Sequence, residues 1–331
     1  MTGNRDGWNG WLPADIGFDG RPALVTDAQV RWVELGSTPL AEPFFDDTLD
    51  RLGRAIPPAR EMVTGLETIL RAADGLPVAR PAGFIFHISR CGSTLIANAL
   101  REAGDTVVVS ESRALTRLLL PGAGDSGPYL ANRWDARRRA LVEAFFRLFA
   151  CYRTGNAERL VVKFTSVNIL CMSIVRRYWP EVPCVVVVRD PAEVMVANRK
   201  GGGWMGLREN PGAVEGMFGF SCVGMPEEEY AARVVGRFLE SALEAPGEGC
   251  MVVDYEDLNE QRIRELALLF AIGLPESGKS LENVFRYYSK DPHRSAKFED
   301  DRPRKRREAT PAIRDAAQRW AMAAYSGLRA G

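Results

Sequence analysis

No stretch of this 331-residue sequence approaches the ~20 consecutive apolar residues that a membrane-spanning helix needs. Its opening, MTGNRDGWNGWLPADIG, contains no apolar core of a secretory leader. Neither sign of charge is in excess, since 43 lysines and arginines face 43 aspartates and glutamates. That balance singles out neither nucleic acid nor a membrane surface as the principal partner. The six cysteines, at 91, 151, 171, 184, 222 and 250, form no C-x-x-C pair and mostly sit in apolar runs, as reduced buried thiols do. Histidine is scarce, with only His87 and His293 in the chain. There is no internal repeat and no low-complexity tract. These absences leave a cytoplasmic globular protein as the expectation.

What is present is a set of short β-branched runs separated by helical patterns, which predicts an α/β protein with a mostly parallel sheet. The runs are GFIFHIS (83–89), DTVVVS (105–110), RLVVKF (159–164), PCVVVVR (183–189) and CMVVDY (250–255), and their near-continuous apolar character fits strands covered on both faces. WDARRRALVEAFFRLFACYR and EEYAARVVGRFLESALE carry apolar residues at helical spacing, whereas the Gly-rich GLRENPGAVEGMFGFSCVG reads as a loop or lid. Residues 1–80 precede the first of these strands and read as a largely helical N-terminal cap, continuous with an α/β unit over residues 81–331.

Two segments compete for the role of phosphate-binding loop. GLPESGKS (273–280) matches the Walker pattern G-x-x-x-x-G-K-[S/T], which would suit a small-molecule kinase or ATPase. It follows NEQRIRELALLFAI, however, whose apolar stripe is helical. A phosphate loop needs a buried strand leading in and a helix leading out, so that free backbone N–H groups converge on the anion. Here Gly273 reads instead as a helix C-cap with Pro275 just beyond. The required strand, turn and helix occur earlier, where FIFHIS runs through RCGST into TLIANALREAG. Gly92 permits close backbone approach, Ser93 and Thr94 offer hydroxyls, and the helix start favours an anion. Ser93 stands where a Walker loop has the lysine that serves β and γ phosphates, which points away from a nucleoside triphosphate.

On these residues the chain resembles the sulfotransferase superfamily, over most of residues 82–260. HISRCGSTLI is similar to the loop that holds the 5' phosphosulfate of 3'-phosphoadenosine-5'-phosphosulfate (PAPS), with Arg90, Cys91, Gly92, Ser93 and Thr94 in the anion-binding turn. VVVVRDPAEVMVANR is similar to the 3'-phosphate element, which makes Arg189 the phosphate-gripping arginine; a surface ion pair with Asp190 or Glu193 is the plainer alternative. The family usually has a serine eight residues after this arginine, where this chain has Ala197, and the neighbouring Asn198 would substitute. VVDYEDL (252–258) resembles a late family strand, with Tyr255 and Glu256 structural. The basic segment KFEDDRPRKRREAT lies where the family closes a loop over the nucleotide; Lys305 or Arg304 would reach a phosphate there, or the run is a solvated face.

The resemblance also bears on the catalytic base. Cytosolic members use a histidine in a K-x-H arrangement, but VVKFTS keeps Lys163 and has Thr165 at the histidine position. Carbohydrate-type and many bacterial members place a glutamate after the second strand, and in VVVSESRALTRLL that residue is Glu111. Desolvation at a strand end is expected to raise its pKa toward that of a useful base. The alternative is a helix N-terminal carboxylate with Ser110 as cap. His87, inside the first strand, reads as a satisfied core residue. The resemblance thus implies a P-loop-like fold and PAPS-dependent sulfuryl transfer to a hydroxyl of a small-molecule or carbohydrate acceptor. Arg90 and Lys163 would offset charge, and no metal is required. A kinase or ATPase, or a non-catalytic nucleotide-binding relative, is the alternative. Trp32, Phe44, Phe45, Trp204 and Phe218 are aromatic candidates for an acceptor pocket, or simply packing residues.

Overall fold

The computed structural model describes residues 7–17, 28–120, 136–154, 158–245, 247, 249–275, 279–291 and 295–330; His293 lies outside them. Among the described residues eight strands form two sheets. β1 (Trp11–Gly17), β2 (Gln29–Glu34) and β3 (Glu61–Gly65) make an antiparallel sheet. β4 (Pro81–His87), β5 (Thr106–Ser110), β6 (Arg159–Lys163), β7 (Cys184–Val188) and β8 (Cys250–Asp254) make a parallel sheet in the order β5-β6-β4-β7-β8.

The parallel sheet agrees with the α/β expectation, strand for strand. β7 is buried at every position, because helices cover both faces and no position can be left polar. β4 is central, and the chain fills first one side of it with β5 and β6 and then crosses to the other with β7 and β8. A topological switch point of this kind opens a crevice at the carboxyl ends of the strands.

The largely helical cap expected over residues 1–80 is not what forms. The first sheet lies there, and among the described residues the α-helices of this region are Phe45–Gly53 and Thr68–Ala72. The alternation in VRWVE drives β2 into the sheet, burying Val30, Trp32 and Val33 while Arg31 pairs with Glu61 of β3 at 3.0 Å. A register irregularity between Pro13 and Asp15 accommodates the proline in β1. Trp11, Leu12, Ile16, Val30 and Trp32 belong to the same buried cluster as the main sheet.

The Gly-rich stretch expected as a loop or lid is also helical. Pro211–Phe218 is a helix with Pro211 in its first turn and the Asn210 side chain accepting from the Ala213 N–H at 3.1 Å. Trp204 and Phe218 pack on Phe238 of the long helix Glu227–Glu244. GLPESGKS is entered by the helix Glu260–Leu269, not by a strand, and the helix Lys279–Arg286 follows it. The first of these helices closes at Ala271 rather than Gly273: Ala271 takes φ +53°, its N–H donates to the Leu268 carbonyl, and the Ile272 N–H donates to Ala267. Among the described residues no helix is long and apolar enough to cross a membrane.

Helix Glu260–Leu269 ends in Phe270, whose ring lies flat on β4 at Gly83. A Cβ added at Gly83 would meet three ring atoms at 2.4 to 2.5 Å. Gly83→Ala is therefore expected to lower unfolding stability by about 1 to 3 kcal/mol through overpacking. A urea titration with an unchanged midpoint would show that the ring is not seated there.

Candidate functional site

The sheet brings one row of side chains together. Ser110 of β5 is the register partner of Lys163 of β6, and the Glu111 N–H extends that ladder by donating to the Lys163 carbonyl at 2.8 Å. β4 lies on the far side of β6 and ends at His87. Glu111, Lys163 and His87 thus come from three neighbouring strand ends, spaced about 4.8 Å apart by the sheet. Lys163, fully buried, donates to Glu111 Oε1, and His87 Nε2 lies 3.4 Å from the same oxygen.

Glu111 itself takes a left-handed φ of +56°, which turns the chain from β5 toward the helix Arg113–Leu119. That helix is capped by Ser112, whose hydroxyl accepts from the Leu115 N–H, while Ser110 accepts from Arg101. The Ser110 cap expected in the alternative reading is therefore not the one formed, and the Glu111 carboxylate turns to Lys163 and His87. Its pKa is not raised as expected. Burial works against the charge, but the Lys163 ammonium more than offsets it and holds the carboxyl well below its ordinary value.

His87 is a buried residue with both ring nitrogens engaged. Nδ1 accepts from the Ser89 N–H at 3.1 Å, so the proton sits on Nε2, which donates to the Phe164 carbonyl at 2.9 Å. Burial, together with the Lys163 charge, lowers its pKa and keeps it neutral. Thr165 uses its hydroxyl with Asn168 to cap the segment Ser166–Cys171.

The turn after β4 is built from left-handed residues: Ser89 at φ +77°, Arg90 at +52° and Gly92 at +89°. Among the described residues the N–H groups of Arg90 and Gly92 donate to no protein acceptor, and those of Ser93 and Thr94 lie in the first turn of the helix Ser93–Arg101, with no carbonyl behind them. The free N–H groups of Arg90 and Gly92, beside a helix start, are of the kind that can receive an anion. Gly92 is required by space as well as by φ, because a Cβ there would meet Leu258 at 2.8 Å and Tyr255 at 2.9 Å. Cys91 turns its thiol inward to donate to the Val187 carbonyl, and burial pushes its pKa up to about 11. The Arg90 side chain is exposed.

On the other side of β4, Arg189 follows β7 and is 3% exposed. Nε donates to Glu193 at 2.8 Å, Nη1 to the Arg90 carbonyl at 3.2 Å and Nη2 to Asp301 at 2.7 Å, with the Tyr255 ring 4.0 Å from the guanidinium. Asp190, the other partner considered, instead caps the helix Pro191–Asn198. Lys305 is buried beside Arg189 and pairs with the second oxygen of Asp301 at 2.7 Å, whereas Arg304 pairs with Glu308 on the exposed face. Asn198 reaches the turn rather than Arg189, accepting from the Ser89 hydroxyl at 3.3 Å and donating to the Val194 carbonyl.

Three participants were not assigned to the site from the sequence, although Tyr255 was read as structural and Asp301 lies in the basic segment KFEDDRPRKRREAT. Lys290 brings its ammonium to 5.4 Å from the Phe44 ring centroid, and Lys163 approaches the same ring at 5.2 Å. Burial and then the charge of Arg90 push Lys290 down to about 8. Tyr255 closes on both Gly92 and Arg189, and Asp301 joins Arg189 to Lys305. Of the aromatic candidates, Trp32, Phe45, Trp204 and Phe218 are core residues, and Phe44 alone borders this cluster. Among the described residues no three His, Cys, Asp or Glu side chains are grouped to hold a metal ion.

No protein-family model and no curated protein matches the chain. Among solved structures it is similar to a sulfotransferase from Alicyclobacillus acidocaldarius, at 16% identity over 76% of this chain and 100% of that one, with a TM-score of 0.41. It is similar to the sulfotransferase domain from the curacin biosynthetic pathway at 13% identity, over 73% of this chain and 98% of that one, with a TM-score of 0.39. The sulfotransferase domain from the Synechococcus PCC 7002 olefin synthase is similar at 14% identity, over 74% of this chain and 96% of that one, also with a TM-score of 0.39.

Proposed function

We propose that this chain is a sulfotransferase that moves a sulfuryl group from PAPS to a hydroxyl of a small-molecule or carbohydrate acceptor. The observation that carries the reading is the row Glu111–Lys163–His87 beside an anion-binding turn that has Ser93 where a nucleoside triphosphate site has lysine. Two features of the chain fit the donor. The turn is a cradle that a Cβ at Gly92 would fill, and the pair Arg189 and Lys305 already holds an anionic carboxylate between them.

Residues Arg90 to Thr94 would hold the 5' phosphosulfate, and Arg189 with Lys305 the 3' phosphate. Asn198 would steady the turn through Ser89. When bound, PAPS supplies an activated sulfuryl group for in-line transfer, a reaction in which the protein mainly positions reactants and offsets charge. Lys163, Arg90 and Lys290 form a cationic surround with one carboxylate inside it. Lys163 and His87 both address Oε1 of Glu111, which leaves Oε2 to take the acceptor proton. An anion in the turn competes for the Lys163 ammonium, and the proton affinity of Glu111 rises as that charge is drawn off. Base strength is thereby coupled to occupancy of the turn.

Adenosine 3',5'-bisphosphate is expected to bind at least about tenfold more tightly than ADP, the contribution of charge-assisted hydrogen bonds to a 3' phosphate. Calorimetric titration of both decides it, and equal affinities would remove PAPS as the donor. Glu111→Gln should lower kcat by roughly 10² to 10⁴ while bisphosphate affinity is kept or tightened, because only the base and one negative charge are lost. Near-normal turnover in that variant would take Glu111 out of the mechanism. Lys290 loses its proton as pH rises through about 8, so wild-type affinity for the bisphosphate should weaken between roughly pH 7 and pH 9. In Lys290→Met the affinity should be lower at the start and flat over that range; a wild-type slope preserved in the variant would place Lys290 outside the site.

A further inference from the structure

We propose that Asp301 is a built-in anion that occupies the 3'-phosphate position, and that a ligand phosphate must displace it; this rests on the reading of Arg189 and Lys305 given above. The carboxylate imitates a bound phosphate. It offers two oxygens to two different cations, Oδ1 to Arg189 Nη2 and Oδ2 to Lys305 Nζ, each at 2.7 Å. Both cations are buried, while the Asp301 side chain remains 31% exposed, so the carboxylate can leave for water and the cations cannot.

The surrounding contacts keep the cradle in place when Asp301 leaves. Glu193, itself 3% exposed, holds Arg189 through both Nε and Nη2, each at 2.8 Å, and is in turn held by Arg306 at 2.7 Å. The Arg90 carbonyl accepts from Nη1, and Tyr255 covers one face of the guanidinium. Arg189 Nη2 and Lys305 Nζ each exchange an Asp301 oxygen for the ligand phosphate, while the other contacts stay. Asp301 precedes the helix Arg302–Glu308 but makes no side-chain cap to it, so its removal does not undo that helix.

Two cations that carry their own counter-ion attract weak anions poorly, because any newcomer must first replace a carboxylate. A dianionic phosphate replaces it with a net gain in charge, whereas a ribose hydroxyl does not. Asp301 is thus a specificity-determining residue, one that sets how strongly a ligand must be charged at this position before the C-terminal segment yields.

The test compares adenosine 3',5'-bisphosphate with adenosine 5'-phosphate on wild-type protein and on Asp301→Asn, by calorimetric titration. The ratio of the two affinities isolates the 3' phosphate. In Asp301→Asn that ratio should rise by about fivefold, the factor expected for releasing a partly exposed ion pair, while affinity for adenosine 5'-phosphate stays within about twofold. A contact that merely supports the fold would weaken both ligands together when removed, and that result overturns the proposal. So does a wild-type preference for the bisphosphate that Asp301→Asn leaves unchanged, although the 3'-phosphate reading of Arg189 then stands. If wild-type protein itself shows no preference, that reading fails, and the role of Asp301 falls with it.

Discussion

Arg189 carries a permanent charge into a place that is 3% exposed, where an unpaired ion would cost several kcal/mol. The chain meets that cost by bringing four pieces, three of them distant in sequence, to one guanidinium. Glu193 comes from the following helix, the Arg90 carbonyl from the turn after β4, the Tyr255 ring from the end of β8, and Asp301 from the C-terminal segment. Each piece is fixed by what it gives to Arg189. The left-handed turn is pinned from one side by Nη1 and from the other by Tyr255 and Leu258 packed on Gly92. The helix Arg302–Glu308 is held against the sheet by Asp301 and, through Arg306, by Glu193 and Glu256. A carboxyl-edge crevice, which the sheet alone would leave open, is thereby given walls.

The row on the other side of β4 obeys a different constraint. Lys163 is buried, and among the described residues its ion-pair partner is Glu111. His87 stays neutral between them, and its two nitrogens join the row to the turn through the Ser89 N–H. Ion pair, imidazole and anion cradle are thus mechanically continuous, although they arise from separate strands.

The five parallel strands were legible because burial on both faces leaves continuous apolar runs, and the turn was legible because glycine and hydroxyls follow such a run directly. GLPESGKS could be set aside for the complementary reason, since a helical stripe precedes it. The N-terminal sheet was not legible: its strands lack continuous apolar runs, β1 carries a proline at its register irregularity, and β3 pairs with a strand lying beyond an intervening helix. Arg189 was found as a strand-end arginine, yet only one of its partners lay close enough in sequence to be named. Asp301 is 112 residues away in a charge run that looks solvated, and only the folded chain distinguishes buried Lys305 from exposed Arg304. Lys290 escaped for the same reason. The lowered pKa of Glu111 shows the limit from another direction, because strand-end burial was visible in the sequence and the ammonium that overrides it was not.

Since Glu111, Lys163 and His87 stand on adjacent strands, their separation is the separation of the strands, a quantity that no loop can stretch. Phe44 and Lys290, by contrast, belong to no strand of the parallel sheet and lie beside helices that only border it. Under selection or in the laboratory these two parts can change independently: insertions and substitutions around Phe44 and Lys290 reshape what approaches the row, while the row keeps its geometry. The fold thus separates an edge of fixed geometry from an adjustable rim.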